Sequence, residues 1–156
     1  MQITGDYQLA ASPENVWRAI HDDIVLQRCI PGCKSIERLS EDQLRAVVTT
    51  KVGPVSATLK GLITFSEQTP PKSLYLTGSG DGGIVGFAKG GARVTLEAVP
   101  DGTHLNYEID VAIGGKLAQL GQRLLAGTAK KNSDIFFSNL VAYFNESIAA
   151  TEAVLK

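Results

Sequence analysis

The feature that most constrains this chain is a single switch of hydrophobic period near residue 114. Before it, apolar residues recur at every second position, the period of a half-buried strand. Leu44, Ala46, Val48, Thr50 and Val52 share one strand face, and Ala57, Leu59, Gly61, Ile63 and Phe65 share another. Leu74 and Leu76 follow, then Ala92, Val94, Leu96 and Ala98, then Leu105, Tyr107, Ile109, Val111 and Ile113. Turn residues separate the runs at Ser40-Glu41-Asp42, Gly53-Pro54, Thr69-Pro70-Pro71, Gly82-Gly83 and Pro100-Asp101-Gly102. Runs this close, joined by short turns, predict an antiparallel meander from Lys34 to Ile113.

After Gly114-Gly115 the spacing turns helical. Lys116 to about Ile148 holds no proline, and Leu117, Leu120, Leu124, Phe136, Leu140 and Phe144 recur at helical intervals. A helix of that length runs about 50 Å, longer than a domain of 156 residues is wide. It must overhang, kink or be interrupted, and Gly121 and Gly127 are the weak points.

The N-terminal segment supplies one more strand, with Ile3, Tyr7 and Leu9 in phase. Ser12-Pro13-Glu14 then starts a helix: a capping hydroxyl, a proline at the first position, an acid at the positive end of the dipole. Val16, Trp17 and Ile20 form its apolar stripe. A second short helix opens at Asp22-Asp23, carries Ile24, Val25 and Leu26, and stops at Pro31-Gly32. The expected fold is α+β: a curved antiparallel sheet of about seven strands, two short helices after the first strand, and a long C-terminal helix along the concave face. One domain spans residues 1–156.

Composition narrows function mainly by exclusion. The chain is 44% apolar and 20% charged, ordinary for a folded globular protein. A net charge of −1 gives no field favouring nucleic acid. Apolar runs fall far short of a membrane span, and the first residues lack a basic start and apolar core, so a cytoplasmic location is the default. Cys29 and Cys33 form a lone C-x3-C, too few ligands for a structural zinc, and read as two reduced thiols. Gly78-Ser79-Gly80-Asp81-Gly82-Gly83 fits a dinucleotide pattern, but the next residues, Ile84-Val85-Gly86-Phe87-Ala88, are strand-like, so no cofactor is called for. Asp81, Asp101, Glu108 and Asp110 are scattered acids, and no catalytic set emerges.

The informative residues are the small ones. Ala46, Ala57, Gly61, Gly78, Gly80, Ala92 and Ala98 lie among the aliphatics of the sheet, and the facing helix carries Gly121, Ala126, Gly127 and Ala129. Small facing small means either very close packing or an enclosed void. A dry void of ~400 Å³ would cost on the order of 10 kcal/mol, as much as a whole domain's stability, so a pocket that size holds something. Lys116, Arg123 and Lys130, seven apart, with Lys131 beside them, form a basic helix stripe suited to an acidic partner or an anionic membrane.

Four segments together resemble the CoxG subunit of carbon monoxide dehydrogenase, a family of the START-like (SRPBCC) superfamily. They are Cys29-Ile30-Pro31-Gly32-Cys33, Lys51-Val52-Gly53-Pro54-Val55, the glycine-rich Gly78-to-Ala92 stretch, and Gly114-Gly115-Lys116-Leu117-Ala118-Gln119-Leu120-Gly121. The resemblance runs from Ile3 to about Phe144 and implies a helix-grip fold with an elongated apolar cavity. It also implies a non-catalytic accessory role for a molybdenum hydroxylase, and peripheral contact with the inner face of the cytoplasmic membrane. The expected ligand is a quinone or lipid, lined by Leu59, Gly61, Ile63, Ala92, Val94, Tyr107, Ile109, Leu120 and Leu124. Such a molecule burying ~400 Å² gains ~10 kcal/mol before ordering costs. Lys116, Arg123, Lys130 and Lys131 are the expected docking residues. Oligomeric state stays open, a homodimer included. The competing readings are an assembly or docking factor using that basic face, and a cyclase-like enzyme.

Overall fold

A computed structural model describes the backbone of residues 1–155 and the side chains of residues 1–150. Seven strands form one antiparallel sheet: β1 (Gln2–Leu9), β2 (Cys33–Ser40), β3 (Gln43–Val52), β4 (Val55–Thr69), β5 (Ser73–Asp81), β6 (Phe87–Val99) and β7 (Gly102–Gly114). Their spatial order is β1-β7-β6-β5-β4-β3-β2. Strands β2 to β7 make the expected meander. Strand β1 joins it at the far edge, pairing Ile3 with Ile109 and Tyr7 with Leu105.

The two edge strands are therefore neighbours in sequence, and the chain crosses between them through α1 (Pro13–Ile20) and α2 (Asp23–Cys29). Both helices start as their caps dictate. Ser12 Oγ accepts from the Asn15 amide at 3.2 Å, and Asp22 Oδ1 accepts from the Ile24 and Val25 amides at 2.9 and 3.2 Å. Val16, Ala19, Ile20, Val25, Leu26 and Cys29 are buried under the crossing, whereas Ile24 points outward and is 80% exposed.

The long helix starts later than its spacing predicts. Residues Gly115–Leu120 form a 3-10 turn, and α3 runs from Gln122 to Leu155. The cause is local: Gly115 and Gly121 have φ of +72° and +98°, values that a right-handed helix cannot contain. Lys116 thus sits on the 3-10 turn and shares no helix face with Arg123, which corrects the continuous basic stripe. Of the two expected weak points, Gly121 is the break and Gly127 lies within α3. At 34 residues α3 runs about 51 Å, and Asn145 to Ala150 are exposed, so the helix overhangs the sheet as its length requires.

The core lies between the sheet and the second half of α3. Leu9, Leu44, Leu74, Leu105 and Leu140 are at most 2% exposed. Phe137 stacks on Tyr107 at 4.5 Å between ring centroids and on Tyr7 at 5.0 Å. A smaller cluster of Val52, Ala57, Leu117 and Leu125 closes the other end, beneath the 3-10 turn. The helix backbone approaches β1, β3 and α2 most closely and bridges the edges of the curve.

Candidate functional site

The concave face between those two clusters is where bulk is missing. Ala46 pairs with Gly61, Gly61 with Gly80, and Gly80 with Ala88, so one register row carries no side chain larger than methyl across four strands. The next row places Ile63 opposite Gly78 and Gly78 opposite Gly90. Beside these rows Leu59, Ile63, Ala92 and Ile109 are only half-buried.

On the helix side, a β-carbon built at Gly121 or Gly127 would meet nothing within 4 Å. Close helix-to-sheet packing through these glycines is thereby excluded, and open space adjoins them. That space is a groove of about 820 Å³ between the first half of α3 and the end of β3. Pro31 and Gly32 form one wall. Gly32 has φ +75°, leaves room for the Thr49 carbonyl where any side chain would clash, and accepts through its own carbonyl from the Thr49 amide at 2.9 Å. Asn132 Nδ2 donates to Thr50 Oγ1 at 3.1 Å and ties α3 to β3 within the groove. Leu120, Leu124 and Ile135 supply apolar lining, and Lys51, Arg123 and Lys131 bring positive charge.

The residues nominated from sequence separate into three groups. Leu120 and Leu124 line the groove. Leu59, Gly61, Ile63, Ala92 and Ile109 lie on the concave face around the small-residue rows. Val94 and Tyr107 are 4% and 2% exposed and belong to the packed aromatic core. Of the basic residues, Arg123 and Lys131 border the groove, Lys116 stands on the 3-10 turn, and Lys130 turns toward β1. Lys130 Nζ donates to Asp134 Oδ1 at 2.7 Å, and Tyr7 Oη donates to the same oxygen at 3.1 Å. The hydrogen bond from Lys130 holds the Asp134 carboxyl below its usual range and raises the Lys130 ammonium. Burial, aided by Asp134, pushes the Tyr7 phenol up.

Sequence reasoning missed Pro31, Lys51, Asn132 and Ile135. A signal existed for two of them. Three of the four segments that carry the family resemblance, around Pro31, Lys51 and Leu120, converge on this groove from distant parts of the chain.

The Tyr107 hydroxyl is buried and has no hydrogen-bond partner among the described residues. Desolvation raises its pKa, so it stays a neutral phenol with an unmet donor. Removing that oxygen relieves a buried polar group at no loss of packing. Tyr107→Phe is expected to gain about 1 kcal/mol of stability, read as a higher urea midpoint with unchanged slope. A loss of stability would mean that the hydroxyl is satisfied in solution.

The glycine-rich Gly78–Gly83 stretch is the end of β5 and the loop to β6. Asp81 Oδ1 accepts from the Gly83 amide at 2.8 Å, a 3-10 turn (Gly83–Val85) comes next, and β6 begins at Phe87. No helix N-terminus is there to hold a pyrophosphate. Cys29 and Cys33 are free thiols whose pKa values burial pushes up. No helix among the described residues is long and apolar enough to cross a membrane.

A seven-stranded antiparallel sheet curved around a long C-terminal helix defines the helix-grip class of START-like (SRPBCC) proteins. Structures with low sequence identity share this fold. Ara h 8.0201 is 17% identical over 94% of this chain and 98% of its own, with a TM-score of 0.66. The ZhuI aromatase/cyclase from Streptomyces sp. R1128 is 13% identical over 95% of each chain, with a TM-score of 0.69. A conserved protein from Geobacillus kaustophilus is 31% identical over 94% of this chain and 97% of its own, with a TM-score of 0.86. No curated protein matches the chain. The family model for the CoxG subunit of carbon monoxide dehydrogenase matches residues 5–145, and the chain belongs to that family.

Proposed function

We propose that the chain is a non-catalytic accessory protein of a molybdenum hydroxylase of the carbon monoxide dehydrogenase type, and that it carries a hydrophobic small molecule, a quinone or a lipid. The observation that supports this most directly is the groove of about 820 Å³ beside α3, continuous in the fold with a concave face stripped of bulk. An empty apolar space of that order is costly, and a ligand that enters it recovers the contacts. Leu120 and Leu124 at the groove, and Leu59, Gly61, Ile63, Ala92 and Ile109 on the concave face, are the proposed contacts. Val94 and Tyr107 back them from the core. The family supplies the partner: a carbon monoxide dehydrogenase-type enzyme.

The protein purified from a membrane-containing lysate should yield a stoichiometric quinone or lipid on organic extraction and mass spectrometry. A clean extract, repeated after incubation with quinone-loaded vesicles, would sink the carrier reading.

The second reading is a docking factor. Lys116, Arg123 and Lys131 are exposed and form no ion pair among the described residues, which suits an acidic partner surface. Lys130, held by Asp134, contributes less. That reading gains if the extract is clean and charge reversal at Arg123 and Lys131 abolishes binding to the hydroxylase.

A further inference from the structure

The charges around the groove are one-sided. Lys51, Arg123 and Lys131 border it, no aspartate or glutamate does, and none of the three forms an ion pair among the described residues. They come from separate places: Lys51 from the end of β3, Arg123 and Lys131 from α3 two turns apart. The fold has gathered like charges at the rim of an apolar space without supplying a counter-charge. Elsewhere it does supply one: Arg28, Arg38, Arg45, Arg93 and Lys130 each face a carboxylate within 4.0 Å. The neighbouring walls are Leu120, Leu124 and Ile135. Apolar walls beneath a cationic rim match one kind of molecule, an amphiphile with an acidic head and an aliphatic tail.

We propose that the groove selects amphiphiles bearing an anionic head, carboxylate or phosphate, which Lys51, Arg123 and Lys131 hold at the rim while the tail lies on Leu120, Leu124 and Ile135. This rests on the carrier reading above and narrows its ligand class. The three cations are exposed, so each contributes only the modest effect of a solvated ion pair, about twofold to fivefold in affinity. Acting together they should favour the acid over a neutral molecule of equal chain length by about tenfold or more. The preference should shrink in 1 M salt, where charges are screened within about 3 Å.

The test compares dodecanoate with dodecan-1-ol at pH 8, on the full chain and on a Lys51→Gln/Arg123→Gln/Lys131→Gln variant. Affinities are read by titration calorimetry at 0.05 M and 1 M salt, and thermal melting checks the fold. The expected result is an acid preference of about tenfold or more that disappears in the variant and weakens in high salt. Equal binding of acid and alcohol overturns the head-group selection and leaves the carrier reading standing. Binding of neither removes both. A preference that survives the triple substitution places the anion elsewhere and overturns the proposal.

A parallel arm distinguishes a free acid from a phospholipid head. The protein is incubated with phosphatidylcholine vesicles containing phosphatidylglycerol, separated from them and extracted. Recovered phosphatidylglycerol, lost in the variant, supports an acidic phospholipid as cargo, and dodecanoate binding without lipid uptake supports the free acid. Sedimentation with the vesicles, without lipid uptake or dodecanoate preference, means that the cations read a bilayer surface and overturns the proposal.

Discussion

Gly127→Trp is expected to block ligand capture while leaving the fold intact or slightly more stable. A β-carbon at Gly127 meets nothing within 4 Å, and the residue lies on the groove wall, so a side chain there extends into open space. An indole in that space displaces on the order of 100 Å² of ligand contact. At 25 cal/mol per Å² this is about 2.5 kcal/mol, close to a hundredfold loss in affinity. The helix itself loses nothing, because glycine within a helix costs about 0.5–1 kcal/mol relative to alanine. The measurement is paired: lipid or quinone recovered by extraction, and the melting temperature. Full capture by a folded variant would show that the ligand does not use this groove. Close packing of α3 on the sheet predicts the reverse pattern, a destabilised protein, so the two halves of the measurement answer different questions.

Phe137→Ala should be the most damaging single truncation, costing about 3–5 kcal/mol. Its ring is 6% exposed and lies between Tyr107 and Tyr7, with Phe136 edge-on at 5.0 Å. It links α3 to both β1 and β7, the pair that closes the edge of the sheet with the chain's first strand. A domain's whole stability is about 5–15 kcal/mol, so the variant would sit near the edge of folding. Urea unfolding checks this, and a loss under about 1 kcal/mol would show that the aromatic stack is not what fastens the helix. Tyr107→Phe, by contrast, keeps the stack and drops only the unpartnered oxygen, so neighbouring substitutions should move stability in opposite directions.

Much of this protein was legible in the sequence because its strongest signals are local. Alternation of Leu44 to Val52 and of Ala57 to Phe65 depends only on which face of a strand is wet. The Ser12 and Asp22 caps depend on the next three residues, and the break at Gly121 on one backbone angle that other residues avoid. The same local signals mislead where a single residue overrides a pattern. Lys116 has the right spacing to join Arg123 and Lys130 on a helix, but Gly115 and Gly121 keep it off the helix altogether.

What only the tertiary structure decided are the relations between distant residues. Strand β1 could pair at either edge of a meander, and its place beside β7 results from how α1 and α2 cross the curve. Small residues scattered through four strands become a single furrow only once register puts Ala46, Gly61, Gly80 and Ala88 in line. Tyr107 and Ile109 alternate identically in sequence, yet one is sealed against Phe137 and the other lies half-open, because the second half of α3 covers the sheet and the first half stands away from it. Lys51 and Lys131 are eighty positions apart and meet at one rim for the same reason. Periodicity reports which side of an element avoids water. It carries no information on how far away the covering element stands, and that distance separates a packed core from a groove.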